Sequence, residues 1–114
     1  FKKLFFNYTG IFHSDDNNGR CYPDWVGGMF LVFKSKIYRE LGGFDERYFL
    51  YYEDVDICIR SWKFGYKVLQ YKRVSVIHDA RRTSHSNLRY LKWHIASLIR
   101  FFASHFGRFP TKIY

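Results

Sequence analysis

The carboxylates between residues 45 and 56 are the groups in this sequence best suited to chemistry. Glu53, Asp54 and Asp56 follow an aromatic run, and Asp45 and Glu46 lie a few residues upstream. Carboxylates can serve as general bases or as ligands of a divalent cation. Together with a histidine and a basic loop further along the chain, they suit a reaction at a metal-bound phosphate ligand in which a carboxylate takes up a proton.

A glycine-rich run and a histidine flank these acids in the sequence. His78 directly follows the apolar residues Val76 and Ile77, so we expect it at the end of a strand, where ligand-binding side chains are commonly delivered. Upstream of the acids, glycines allow a backbone to approach a ligand closely. That upstream run contains one tryptophan and two glycines: Trp25, Gly27 and Gly28.

A helix should begin at Glu53, because three acids in the first turn complement the helix dipole. The spacing of Val55, Ile59 and Trp62 predicts its buried face, and Gly65 should end it.

The remaining elements are short strands, an aromatic loop and two further helices. Runs rich in β-formers predict three strands: residues 29–33, 66–71 and 74–77. Capping and glycine signals predict the other two helices: residues 36–41 and 88–106. Residues 44–52 should form an irregular loop. This alternation of strands and helices indicates an α/β class of mixed short strands and helices.

The last helix carries an apolar stripe bordered by basic residues. The stripe consists of Leu88, Leu91, Ile95, Leu98, Phe102 and Phe106. The positive charge comes from Arg89, Lys92 and Arg100. Such a helix suits peripheral contact with an anionic membrane surface, and it equally suits ordinary packing against the rest of the chain.

The composition bounds what this chain can be. Its 114 residues make about one small domain, 47% of them are hydrophobic, and 23% are aromatic. The formal net charge of +9 favours an anionic partner. The two cysteines are too few for a disulfide scaffold or a four-cysteine zinc site. No signal peptide and no membrane-spanning stretch is evident, which predicts a cytoplasmic location.

Four motifs follow one another between residues 24 and 85: W-V-G-G-x-F-L, G-G-F-D-E-R-Y-F-L-Y-Y-E-D-V-D-I-C-x-R, G-Y-K-V and V-I-H. In this order and spacing they resemble family 2 glycosyltransferases. The nearest branch is the rhamnosyltransferase-like enzymes of bacterial lipopolysaccharide and other surface polysaccharides. The resemblance implies a GT-A fold, a nucleotide-sugar donor, a divalent metal (Mg or Mn) and inversion at the anomeric centre. It also implies a polysaccharide or lipid-linked acceptor at the inner face of the cell membrane.

The same resemblance implies roles for individual residues. Asp54 matches the catalytic base that deprotonates the acceptor hydroxyl, and His78 matches a metal ligand near the diphosphate. The residues matched to substrate binding are Trp25, Gly27, Gly28, Glu53, Asp56, Arg81 and Arg82. The acids also have alternative, purely structural explanations. Clustered acids can simply complement a helix dipole, and Asp56 can pair with Arg60 one turn further along the helix.

One part of the family pattern does not occur in these 114 residues. The Rossmann-like first half carries a D-x-D motif after a strand, and Asp15-Asp16 has no apolar strand before it. Residues 1–85 therefore resemble the C-terminal half of a GT-A catalytic domain, followed by an amphipathic helix and tail over 86–114. Alone, we expect this piece to be inactive, to bind no metal, and to self-associate through surface that the other half would cover.

Two other classes of protein compete with the enzyme interpretation. The positive charge and abundant aromatic rings permit a nucleic-acid-binding module. The acidic cluster would repel phosphate, however, so we expect no nucleic-acid partner. A non-catalytic piece that dimerises or associates with a membrane is the second alternative.

Overall fold

A computed structural model describes residues 18–77 and 88–106 of the chain. The described residues form three helices and one pair of short strands. In chain order these are β1 (Arg20–Cys21), α1 (Ser35–Glu40), α2 (Glu53–Lys63), β2 (Gln70–Tyr71) and α3 (Leu88–His105). β1 and β2 pair antiparallel, with Arg20 opposite Tyr71 and Cys21 opposite Gln70. This mixture of helices with a small sheet is compatible with the predicted α/β class.

Glycines end the first two helices, as the sequence predicted. Gly42 and Gly43 follow α1 with φ of 75° and 70°, a left-handed conformation that other residues adopt only at a cost. Gly65 follows α2 with φ of 80°, and its N–H donates to the Trp62 carbonyl at 3.0 Å. The sequence predicts Ser35 as the cap of α1, but the capping position falls on Lys34 and no side chain caps that end.

Two apolar clusters make the core, and α2 contributes to both. In the first, Ile57, Cys58 and Trp62 of α2 pack with Leu41 and Val68. In the second, Ile59 of α2 packs with Tyr48 and Phe101, the latter from α3. The predicted buried face of α2 is therefore confirmed at Ile59 and Trp62, each 8% exposed, while Val55 is half-buried. Because α2 contributes to both clusters, it helps to fix the loop before it and α3.

Two of the three predicted strands are wrong, and the third is shorter than expected. Residues 29–33 are irregular, with Met29 66% and Val32 80% exposed. Residues 74–77 are likewise irregular, with Ile77 fully exposed, and only Gln70–Tyr71 of 66–71 is a strand. β-propensity produces a strand only where a neighbouring segment can pair with its backbone. Within 18–77 and 88–106 the only such pairing is between β1 and β2.

The last helix runs over almost the whole of its predicted range, with 18 residues from Leu88 to His105. It packs against α2 and against the loop that precedes α2. Among the residues that the structure describes, neither α3 nor another helix combines the length and hydropathy needed to cross a membrane.

Candidate functional site

The start of α2 follows two consecutive tyrosines in a left-handed backbone conformation. Tyr51 has φ of 68° and Tyr52 has φ of 71°, and Tyr52 is the residue that precedes the first turn. Bulky residues seldom adopt this conformation, which costs on the order of 1–3 kcal/mol each unless surrounding contacts compensate. Strain of this kind is typical of functional sites. Here it sets the direction in which the chain enters the turn that carries Glu53 and Asp54.

Contacts from α3 hold this strained turn. The Ser97 hydroxyl donates to the Leu50 carbonyl at 2.7 Å, and Ser97 is 3% exposed. The His94 ring lies against both tyrosines, with centroids 5.0 Å from Tyr51 and 5.5 Å from Tyr52. The predicted aromatic loop is therefore irregular but well anchored.

The main feature of the site is a hydrogen bond between the two motifs that the sequence singled out. The backbone N–H of Gly28 donates to Asp54 Oδ2 at 2.7 Å. The other carboxylate oxygen, Oδ1, accepts from the Val55 backbone N–H at 2.8 Å. Two backbone donors therefore fix the orientation of this half-buried carboxylate at the start of α2.

Gly28 must be small at this point because it lies directly against Asp54. A Cβ at Gly28 would be 3.2 Å from the Cβ of Asp54 and 3.4 Å from its Oδ2. The 3.2 Å contact is tight enough that Asp54 would have to give by a few tenths of an ångström, whereas 3.4 Å is an ordinary van der Waals contact. The glycine thus permits the close approach of backbone to carboxylate.

The Trp25–Gly28 segment is held in place by α2. Trp62 Nε1–H donates to the carbonyls of Pro23 and Asp24, at 3.3 Å and 3.2 Å. Trp25 is half-buried and packs against the first core cluster, so it contributes to the core as well as standing near the site.

Cys58 belongs to the packing of this region and not to its chemistry. Burial raises the pKa of its thiol to about 11, and a hydrogen bond with the Val26 backbone opposes this to a smaller extent. The thiol therefore stays protonated at neutral pH, as expected for a small helix residue that faces the core.

Glu53 lies beside Asp54 in a less favourable environment. Its Oε2 is buried without a hydrogen-bond partner in the described structure. Desolvation raises the pKa of the Glu53 carboxyl above its ordinary value of 4.5, and the negative charge of Asp54 adds to the rise. A hydrogen bond to its own backbone N–H lowers the pKa by less than desolvation raises it.

The raised pKa of Glu53 predicts a pH-dependent penalty on stability. Below about pH 4.5 the side chain is protonated in both the folded and the unfolded state, so its burial carries no charge penalty. As the pH rises above 4.5, the unfolded chain loses the proton first and the folded state is destabilised. We expect the free energy of unfolding of Glu53→Gln, relative to the unsubstituted chain, to increase between about pH 4.5 and about pH 7.5. Urea unfolding of both proteins at both pH values would measure this. An equal difference in free energy of unfolding at the two pH values would contradict it.

Asp56 lies in the interior, where both its oxygens are engaged. Oδ2 accepts from Arg60 Nε at 2.8 Å, and Oδ1 is 2.7 Å from Nε2 of His105 on α3. Asp56 is only 3% exposed. Arg60 in turn donates to the carbonyls of Leu41 and Gly43, so this network joins α2 to the turn after α1 and to α3. The predicted Asp56–Arg60 pair is confirmed, and substrate binding by Asp56 stays a prediction.

Asp45 fixes the loop between α1 and α2. Its Oδ1 accepts from the Arg47 backbone N–H at 3.0 Å, and the Arg47 guanidinium donates to both carboxylate oxygens. The side-chain hydrogen bond from Arg47 lowers the pKa of Asp45 below 3.8.

Three predicted site residues, His78, Arg81 and Arg82, lie outside the described residues. Within 18–77 and 88–106, no three side chains of the His, Cys, Asp or Glu type converge so that they could hold a metal ion. The described residues therefore do not form a metal site. The metal and its His78 ligand stay predictions.

The sequence interpretation missed the contribution of α3 to the site. His94, Ser97 and His105 contact the turn or the Asp56 network, but they had been assigned no role. A signal was present, because Ser97, Phe101 and His105 recur every four residues and so share one face of a helix. Because two of these residues are polar, this face was harder to recognise as a packing face than the more apolar stripe.

Known proteins similar to this chain are rhamnosyltransferases. Over 81 residues it is 31% identical to rhamnosyltransferase WbbL of Escherichia coli, a match covering 70% of this chain and 31% of that protein. Over 80 residues it is 35% identical to the N-acetylglucosaminyl-diphospho-decaprenol L-rhamnosyltransferase of Mycobacterium tuberculosis, covering 69% of this chain and 26% of that protein. The chain thus spans about a third or less of the length of these relatives.

These relatives confirm the similarity to rhamnosyltransferases that the motifs indicated. No family model matches the chain, and no solved structure matches it. The relatives lend no support to the nucleic-acid-binding alternative.

Proposed function

We propose that this chain is part of a rhamnosyltransferase-like glycosyltransferase and carries its catalytic base, Asp54. The observation that supports this most strongly is the 2.7 Å hydrogen bond from the Gly28 N–H to Asp54 Oδ2. It joins the W-V-G-G run to the E-D-V-D run, two segments that lie far apart in the sequence, at one oriented carboxylate. The similarity to two rhamnosyltransferases points to the same class of reaction.

In this proposal Asp54 acts on the hydroxyl group of the acceptor. The carboxylate takes the hydroxyl proton as that oxygen forms a bond to the anomeric carbon of the donor sugar. The bond between the anomeric carbon and the phosphate oxygen breaks, and its electron pair leaves with the nucleoside diphosphate. Because attack and departure occur on opposite faces, a single displacement of this kind inverts the anomeric configuration.

The surrounding residues support a carboxylate with this task. Backbone donors fix Asp54 without covering it completely, so a hydroxyl can approach. Glu53, whose pKa is raised by desolvation, lies beside Asp54 and can contact the acceptor. Trp25 lies on the segment that meets Asp54, where an aromatic ring can pack against a sugar.

The finer features of the family belong to the same proposal. They are the GT-A fold, with residues 1–85 as its C-terminal half, a nucleotide-sugar donor and a divalent metal held partly by His78. The acceptor we propose is a glycan or a lipid-linked sugar of the bacterial cell surface. The name of the Mycobacterium tuberculosis relative specifies a decaprenol-linked acceptor for that protein.

The proposal is tested with the complete polypeptide that contains this chain. We expect it to transfer rhamnose from a nucleoside-diphosphate rhamnose to a polyprenyl-diphospho-N-acetylglucosamine, with the product formed in the inverted configuration. Chromatography of the labelled product measures transfer, NMR of the anomeric centre gives the configuration, and an incubation without acceptor is the control. Retention of configuration would contradict a single displacement with Asp54 as base. Absence of transfer from any nucleotide-sugar would contradict the proposal that the polypeptide is a glycosyltransferase.

A further inference from the structure

The last helix has a buried inner face and an exposed apolar face. The inner face carries Ser97, Phe101 and His105, which are 3%, 6% and 4% exposed. The apolar stripe predicted from the sequence lies elsewhere on the helix. Its exposed members, together with Ile99, form what we call the outer face of α3: Leu88, Leu91, Ile95, Ile99, Phe102 and Phe106.

The outer face is a continuous strip along the helix. At about 100° per residue its six members fall within an arc of about 80°, turned well away from the inner face. Each is between 46% and 80% exposed. A continuous apolar strip on a helix is normally buried, so this strip should lie against something apolar.

The charges around the strip indicate what that surface is. No Asp or Glu occurs between residue 80 and the last residue, 114. The same stretch contains a series of fixed positive charges: Arg81, Arg82, Arg89, Lys92, Arg100, Arg108 and Lys112. On the helix, Lys92 adjoins the strip at Ile99, and Arg89 lies further around the same side. The Arg100 guanidinium, beyond Arg89, donates to the Arg47 carbonyl. An apolar strip flanked by cations complements a surface that is anionic outside and apolar beneath.

We propose that the outer face of α3 binds the surface of an anionic lipid bilayer, with the helix parallel to the membrane plane. A strip about 27 Å long, at 1.5 Å per residue, can place its apolar side chains at the level of the acyl chains while the cations meet lipid phosphates. A second copy of the chain is a poorer occupant, because pairing two outer faces would bring their cations together.

This inference goes beyond the proposed function and does not depend on it. It also has a consequence for the site, because α3 contacts the turn at Leu50–Tyr52. Docking of α3 would hold the turn that carries Asp54 within about one helix diameter, roughly 10 Å, of the lipid surface.

The test is flotation of the 114-residue chain with vesicles of phosphatidylcholine alone or mixed with phosphatidylglycerol. We expect binding to the anionic vesicles, weakened by high salt, and little binding to the neutral ones. Arg89→Glu with Lys92→Glu should weaken anionic binding by at least about twenty-fivefold, at roughly fivefold per cation removed. Ile99→Ser with Phe102→Ser should weaken it by about a hundredfold, because two large apolar side chains no longer insert.

Matched variants away from α3 separate this surface from general charge and hydrophobicity. Lys34→Glu with Lys36→Glu makes the same change in net charge, and Phe30→Ser with Val32→Ser removes side chains that are 61% and 80% exposed. Both control pairs should bind vesicles within about threefold of the unsubstituted chain. Circular dichroism would confirm that all variants fold. Equal losses in the α3 and control pairs, or no binding to anionic vesicles, would overturn the proposal. A soluble dimer that Ile99→Ser with Phe102→Ser converts to a monomer, without vesicle binding, would assign the face to a second copy instead.

Discussion

Replacing Asp56 with Ala is expected to lower the free energy of unfolding by about 3–5 kcal/mol, the usual cost of breaking a buried ion pair from one side. The side chain is 4% exposed and joins Arg60, which is 21% exposed, to His105, which is 5% exposed. Without the carboxylate, both partners keep their place in the interior but lose an acceptor. The loss should also loosen α3, since His105 is the main polar link between α3 and α2.

Urea unfolding of Asp56→Ala and of the unsubstituted chain measures this effect directly. The control is Lys36→Ala, which removes an exposed pair in which Lys36 Nζ lies 3.9 Å from Glu40 Oε1, and it should cost less than about 1 kcal/mol. Asp56→Asn retains one acceptor oxygen, so its loss of stability should lie between those of Asp56→Ala and Lys36→Ala. A loss below about 1 kcal/mol for Asp56→Ala would show that the Asp56 network contributes little to the fold.

The helices of this chain could be predicted from local signals, and the strands could not. α2 has acids in its first turn, an apolar face and a glycine stop, all of which lie within a few residues of one another. A strand depends instead on a partner from elsewhere in the chain. Residues 29–33 have the composition of a buried strand and are nevertheless irregular, with Met29 and Val32 exposed.

The orientation of α3 shows a second limit of sequence interpretation. Hydropathy favours the outer face, which is richer in large apolar residues, as the packing face. The structure packs the face with Ser97 and His105, because these side chains satisfy the Leu50 carbonyl and the buried carboxylate of Asp56. Polar complementarity between distant residues decided the packing, and the sequence pattern does not contain it.

The sequence did not predict how the candidate residues are arranged in space. Asp54 and Gly28 were both singled out, yet their contact depends on Trp62, which holds the backbone at Pro23 and Asp24. The left-handed conformation of Tyr51 and Tyr52 had no local signal, since neither residue is a glycine.

Replacing Asp54 with Asn should remove most of the glycosyl transfer by the complete polypeptide while leaving the fold intact. An amide of the same size can still accept a hydrogen bond from Gly28 or Val55, but it cannot take a proton from an acceptor hydroxyl. Loss of a general base typically slows a reaction by about 10²–10⁴-fold. Binding of the donor should be unchanged, because the proposed role of Asp54 concerns the acceptor.

The central claim is tested most directly by the transfer rate of Asp54→Asn at saturating donor and acceptor, relative to the unsubstituted enzyme. Glu46→Gln is the matched control, since it removes one carboxylate charge from an exposed loop position and should keep the rate within about threefold. Matched urea unfolding curves would confirm that both variants fold. We predict a rate for Asp54→Asn at least about a hundredfold lower. A rate within about tenfold of the unsubstituted enzyme would contradict Asp54 as the catalytic base.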